Sequence, residues 1–173
     1  MSQQTENLMK KIFLSKVVLN MGVGKSGEPI EIGKKTLSQI TGKKPNARNA
    51  KKSQRDWGVR KGEPIGVAIT VRNNDAIELF KKLLVAKDNK INERAFDNEG
   101  NLSFGIKEHI DIPGIKYDPQ IGILGLEVSV SLARSGFNIK LRSKQKAKVG
   151  KKHRITKSNA IEFLTSEFGV QVV

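Results

Sequence analysis

Four segments of this chain alternate apolar residues with small or polar ones, and that period of two constrains its fold more than any other feature. Val17, Leu19 and Met21; Val67, Ile69 and Val71; Leu102, Phe104 and Ile106; and Leu126, Val128, Val130 and Leu132 each place one apolar row on one side of an extended segment. Successive side chains of a strand point to opposite faces, so the intervening residues form a second face. That face carries Lys16 and Asn20; Gly66, Ala68, Thr70 and Arg72; Ser103, Gly105 and Lys107; and Ser129 and Ser131. The pattern predicts an α+β protein: an antiparallel sheet with helices packed on the apolar face and the other face open.

The helices are read from caps and breakers. Ser26 is placed to cap a helix from about Glu28, with Pro29 in its first turn, Ile32, Leu37 and Ile40 along it, Gly42 at its end and Pro45 beyond. Asn74 or Asp75 is placed to cap a second helix through about Ala86 that buries Ile77, Phe80, Leu83 and Leu84. Thr156 caps a third, ending at Phe168 before Gly169. Residues 46–62 read as a long exposed loop, 87–100 as polar and irregular, and 113–119 as a loop. Residues 138–142 read as a short strand, and the polar start, residues 1–7, as mobile. No internal repeat and no Pro- or Ser-rich linker interrupts the 173 residues, so a single domain spanning 1–173 is expected.

Charge says what the open face is for. No carboxylate occurs between Val128 and Ile161, where ten Lys and Arg do, and Gly33 to Lys61 holds ten more against Asp56 alone. From Asp75 to Glu127, by contrast, ten acids face seven bases, a balance of −3 in a chain whose formal net charge is +15. Acid-poor segments of this length repel themselves unless a polyanion lies against them, and nucleic acid is the commonest such partner. Small residues on the open face let a sugar-phosphate backbone come close, and hydroxyls and Asn20 supply hydrogen bonds. The competing reading, an ordinary solvated face, would call for long Glu and Lys side chains there.

Several other functions are weighed and set aside. With no cysteine, disulfides and thiolate metal sites are excluded. The first residues lack the apolar core of a signal peptide, and no apolar run approaches the ~20 residues of a membrane span, so no membrane partner is expected. Gly22-Val-Gly24-Lys-Ser-Gly27 fits a dinucleotide fingerprint between strand and helix, which keeps a nucleotide-binding enzyme as the alternative. The acid that such a site needs about twenty residues on is missing, however, and Thr41-Gly-Lys-Lys-Pro45 stands there. His109, with Glu108, Asp111 and Asp118, could be drawn as an acid/base or metal cluster, but one histidine running into Pro113-Gly114 fits a structural role better. No cofactor is expected. Trp57, alone among Arg55, Arg60 and their neighbours, reads as a stacking platform for a base or ribose, the alternative being an indole folded back onto the domain.

Five motifs in order carry a resemblance: Lys16-Val-Val-Leu-Asn-Met-Gly-Val-Gly24, Thr41-Gly-Lys-Lys-Pro45, Arg60-Lys-Gly-Glu-Pro-Ile-Gly66, Phe104-Gly-Ile-Lys-Glu-His-Ile-Asp-Ile-Pro-Gly-Ile-Lys-Tyr-Asp-Pro119 and His153-Arg-Ile-Thr-Lys157. Together they resemble the large-subunit ribosomal protein family that binds 5S rRNA, the fifth in the standard naming, in its archaeal and eukaryotic branch. The resemblance implies a structural ribosomal component, cytoplasmic and not an enzyme. Its open sheet face would dock on 5S rRNA through Lys16, Asn20, Lys43, Thr70 and Arg72. A basic loop with Lys52, Arg55, Trp57, Arg60 and Lys61 would reach P-site tRNA. Arg134, Arg142, Lys144, Lys151, Lys152, His153 and Arg154 would meet phosphates of large-subunit rRNA. Other central-protuberance proteins, and a small-subunit head protein across an intersubunit bridge, are the implied protein partners. Lys43 stands where bacterial members commonly have glutamine, and Trp57 where phenylalanine is frequent. Leu126-Glu127 replaces the usual Met-Asp, and Ser135 the usual proline. A free-standing regulator of another RNA would share the same surface physics.

Overall fold

The computed structural model describes residues 7–24, 26–115, 117–119 and 121–173. Its centre is β1 (Ile12–Gly22), flanked by β3 (Pro64–Arg72) and β6 (Leu126–Arg134), with β2 (Asn46–Asn49) and β5 (Leu102–Ile106) at the edges. The order β2-β3-β1-β6-β5 is antiparallel at every pairing. Val17 lies opposite Val71 on one side and Val130 on the other, and Leu19 opposite Ile69 and Val128. The apolar rows read from the sequence therefore line up across strands, and all thirteen of their residues are buried.

β1 begins earlier than its alternation indicates. The register with β6 shifts between Leu14 and Lys16, leaving Ser15 as an extra residue. That bulge lets Leu14 and Val17, three positions apart, both face the core.

Helices α1 (Glu28–Thr41), α2 (Asn73–Val85) and α3 (Lys157–Phe168) cover the apolar side. α1 approaches so closely that a methyl on Gly33 would stand 3.3 Å from Val23 and Val67 side chains. Phe80 of α2 meets Phe168 of α3 edge to face at 5.0 Å. Burying Phe80 completely is worth about 2–3 kcal/mol relative to leaving it in water. The buried apolar residues form one continuous cluster.

Several boundaries follow the sequence closely. α1 stops at left-handed Gly42, Thr156 accepts a hydrogen bond from the Asn159 amide at the start of α3, and left-handed Gly169 closes that helix. Others are corrected. Gly27, not Ser26, occupies the cap position of α1, and no side chain bonds there. α2 starts directly from β3 with Arg72 at its cap and Asn73 at φ 61°, so Asn74 and Asp75 fall inside its first turn. The buried stripe of α2 runs through Ala76, Leu79, Phe80, Leu83 and Leu84, and Ile77 falls at its edge and is 37% exposed.

The stretch read as a loop over 46–62 opens with β2, which pairs with β3, and continues as an extended hairpin. The irregular 87–100 contains β4 (Lys90–Ile91), paired in parallel with β7 (Gln171–Val172) at the chain's end. Residues 138–142 are not a strand. Gly136, at φ 90°, leads into a 3-10 turn over Phe137–Lys140, and Leu141 points outward. Asn7 caps a 3-10 turn at Leu8–Lys10 through its side chain, while residues 1–6, expected to be mobile, lie outside the described residues.

Candidate nucleic-acid interface

Strand pairing brings the polar rows of the sheet together. Lys16 lies opposite Arg72, Val18 opposite Thr70, and Asn20 between Ala68 and Glu127. Asn20, Thr70 and Arg72 are exposed and Lys16 is half-buried, so two adjacent strands present two cations, a hydroxyl and an amide on one surface. Ser103 and Ser129 hydroxyls lie 3.2 Å apart beside them. Ser131 donates to the Asn101 side-chain oxygen at 2.9 Å, so the 97–101 turn leans over one corner of this face. Asn20 Nδ2 is 3.5 Å from Glu127 Oε2, a long contact that leaves the amide accessible.

Lys43 joins from the turn after α1. Since Asn46 pairs with Ala68, the chain before it runs toward the Thr70–Arg72 end of β3, where Lys43 Nζ donates to Asp75 at 2.5 Å. The hydrogen bond from Lys43, and then its charge, hold the Asp75 carboxyl below the usual aspartate range. Both partners are solvent-exposed, and an exposed pair of this kind exchanges readily for a phosphate.

The five residues assigned to the second contact group sit on the hairpin between β2 and β3. Gln54 and Val59 exchange backbone hydrogen bonds at 2.8 and 3.0 Å, and left-handed Gly58 closes the 3-10 turn at Arg55–Trp57 between them. Below that tip, Lys61 N donates to Ser53 Oγ and Arg60 N to Glu63 Oε2, both at 2.9 Å. The backbone is thus stitched while Lys52, Arg55, Arg60 and Lys61 are all exposed. Trp57, at the tip, is 79% exposed, so the indole is not folded back onto the domain.

The third group behaves differently. Arg134 Nη1 donates to the carbonyls of His153 and Arg154 at 3.4 and 3.3 Å, and its Nε is buried without a partner among the described residues. Arg142 Nε donates to Gln145 O at 2.9 Å and Arg154 Nε to Val149 O at 3.2 Å. His153 Nε2 lies 2.9 Å from Ser135 O, with its ring edge-to-face on Phe137. These side chains fold the acid-free arm back on the domain, where Phe137, Val149 and Ile155 are buried. Lys144, Lys151 and Lys152 remain exposed. The arm's apolar anchors were the residues overlooked in the sequence; three isolated apolar positions in a basic run were the signal.

Among the described residues, carboxylates pair with few of these cations. Of the twenty bases in the two acid-poor segments, five have a carboxylate within 4.0 Å: Lys34, Lys35, Lys43, Lys140 and Lys157. Among the described residues the other fifteen have none.

The glycine-rich turn has no nucleotide-binding context. Gly22 ends β1, both neighbours of which are antiparallel, so among the described residues no crevice between parallel strands of the kind a dinucleotide fold uses adjoins it. His109 is 1% exposed; its backbone N–H donates to Leu124 O and its Nδ1 accepts from Leu124 N, a structural staple. Among the described residues no group of three His, Asp or Glu converges as metal ligands, and no helix is long and apolar enough to cross a membrane.

The described residues thus form an α+β protein: a helix-backed antiparallel sheet with an exposed polar row and two cation-rich, acid-poor segments. Comparison with known families makes this specific. Residues 7–60 match the family model of ribosomal protein L5, and residues 64–163 match the model of that ribosomal family's C-terminus. The chain is 67% identical over 172 residues to the large ribosomal subunit protein uL5 of Nitrosopumilus maritimus, covering 99% of each. It is 58% identical over 165 residues to uL5 of Cenarchaeum symbiosum, covering 95% of this chain and 98% of that one. The uL5 of Pyrobaculum aerophilum is 49% identical over 164 residues, covering 95% and 92%. The chain belongs to the ribosomal protein L5 family, whose members are structural proteins and not enzymes.

Proposed function

We propose that this chain is a structural constituent of the large ribosomal subunit in the cytoplasm, acting as one domain that holds 5S rRNA on its open sheet face. The observation that carries the reading is the Lys16–Arg72 pair beside Thr70 and Asn20, on the side of the sheet that no helix covers. A ribose-phosphate strand needs close approach, hydrogen-bond partners and cations together, and this face supplies all three. Lys43, freed from Asp75, adds a phosphate contact. Residues of the arm, Lys144, Lys151 and Lys152 foremost, neutralise phosphates of large-subunit rRNA. The hairpin tip extends Trp57 toward P-site tRNA, where an exposed indole backed by Arg55 and Arg60 can stack. Neighbouring central-protuberance proteins and a small-subunit head protein complete the set of partners.

Charge reversal tests the reading. Asn20→Glu or Thr70→Glu replaces a small exposed group by a carboxylate facing the phosphates. Each is expected to abolish binding of isolated 5S rRNA while the circular dichroism and melting temperature stay at the wild-type values. Normal binding by both variants would move the RNA to another face. Co-sedimentation of the wild-type chain with large subunits separates a ribosomal component from a regulator of another RNA.

A further inference from the structure

We propose that the cleft between the C-terminal arm and the 97–100 turn takes an unpaired guanine base extruded from ribosomal RNA. The inference rests on the RNA-binding reading and adds a specific ligand to it.

The cleft has a volume of about 530 Å³, within the ~300–1,000 Å³ range of small-molecule sites. Phe137, Val149 and Ile155 give it an apolar floor, and all three are buried. Lys146, Lys148 and Arg154 stand around it, in the segment that contains no acid of its own. An apolar floor ringed by cations suits a flat heterocycle attached to phosphates, since the base leaves water while its backbone stays at the charged rim.

One carboxylate enters this cationic ring from elsewhere in the chain, and it selects the base. Glu99 lines the cleft and is held there by its own turn. Asp97 Oδ1 accepts from the amides of Glu99 and Asn101 at 2.9 and 2.7 Å, and Asp97 Oδ2 accepts from Asn101 Nδ2 at 2.7 Å. The turn presses on the floor of the cleft: a methyl on Gly100 would stand 2.5 Å from Ile155 Cγ2. Glu99 is only loosely matched within the protein, its Oε2 lying 4.0 Å from Lys140 Nζ, while that ammonium rests 5.0 Å above the Phe137 ring. A carboxylate repels phosphate and the acceptor N1 of adenine. Its two oxygens match the N1–H and N2–H donors of guanine, and Lys or Arg at the rim can donate to the acceptors O6 and N7 on the opposite edge.

The test uses the full chain with labelled Ala, Val and Ile methyls, and short single-stranded RNAs of uridine with guanosine, adenosine or an abasic site at the centre. The guanosine oligomer is expected to shift the Ala147, Val149 and Ile155 methyl signals and to bind roughly tenfold more tightly than the other two, the discrimination typical of one bidentate base contact. Glu99→Gln, at an exposed side chain, should reduce that preference to within about twofold, because a single carbonyl oxygen and an amide replace two acceptors. Equal binding of all three oligomers by the wild type, or an unchanged guanosine preference in Glu99→Gln, overturns the pocket and leaves the RNA reading standing. Failure of every oligomer to bind at low salt overturns both. Guanosine monophosphate alone binding as tightly as the oligomer would overturn the assignment to RNA in favour of a free nucleotide.

Discussion

The two acid-poor flanks contain ten cations each, and the hairpin that carries five of the first ten is built in the opposite way to the C-terminal arm. The hairpin between β2 and β3 is stitched by its backbone, through the Gln54–Val59 pair and the Ala50–Glu63 bond, and its side chains are left in water. The C-terminal arm lacks such a ladder. Its guanidinium groups hold its own carbonyls, and its few apolar residues pin it to the core. Like charge is therefore displayed in two ways: on the hairpin it stands in water, and in the arm part of it fixes the local shape.

The sharpest break between them concerns stability. Ile155→Ala, in the arm, should cost about 2–5 kcal/mol in denaturant unfolding, because it empties a fully buried site beneath the 97–100 turn. The same experiment on Trp57→Ala should change stability by less than about 0.5 kcal/mol, since the indole touches little of the fold. Binding to 5S rRNA should survive Trp57→Ala, with only tRNA-linked behaviour affected. Loss of 5S binding would place the hairpin on the other RNA.

Arg134→Met comes next. Removing the donor to the His153 and Arg154 carbonyls should cost about 1–3 kcal/mol and accelerate amide hydrogen exchange in residues 150–156, with the hairpin unaffected. Unchanged protection there would mean that the apolar anchors alone hold the arm.

The smallest effect concerns exposed ion pairs. Lys43 depresses the Asp75 carboxyl and Lys157 that of Glu93, in each case through a hydrogen bond first and charge second. A carboxyl lowered by folding stabilises the protein above its ordinary range near ~4, and that contribution disappears as pH falls through the depressed value. Asp75→Asn should accordingly leave stability at neutral pH almost unchanged and flatten the acid limb slightly. It should not weaken 5S binding, because Lys43 is then free for phosphate.

How legible all this was depended on whether one local rule dominated. The four period-two rows predicted the four long strands and their buried faces because burial on one side forces alternation. The end caps Gly42, Thr156 and Gly169 were readable because left-handed backbone and capping oxygens have few residue choices. β2, β4 and β7 left no apolar period: Asn46–Asn49 is exposed throughout, and the other two have two residues each. Ile139 and Leu141 imitated a strand, but Gly136 turns the chain into a 3-10 turn that no pattern of two residues could reveal. On the interface, Lys16, Asn20, Thr70 and Arg72 fell on one surface because strand parity fixes the face. The Lys43–Asp75 pair and the Arg134 bonds to carbonyls depend on long-range contacts, which parity cannot supply.

Among the described residues most cations on both flanks have no carboxylate partner, and the function proposed above assigns their neutralisation to ribose-phosphate chains. The salt dependence of binding to isolated 5S rRNA measures this directly. With ~6 phosphates neutralised, affinity should fall on the order of a thousandfold between low and moderate salt, along a straight line in the logarithm of salt concentration. An affinity that stays level across that range would mean that the charged flanks do not bind the RNA.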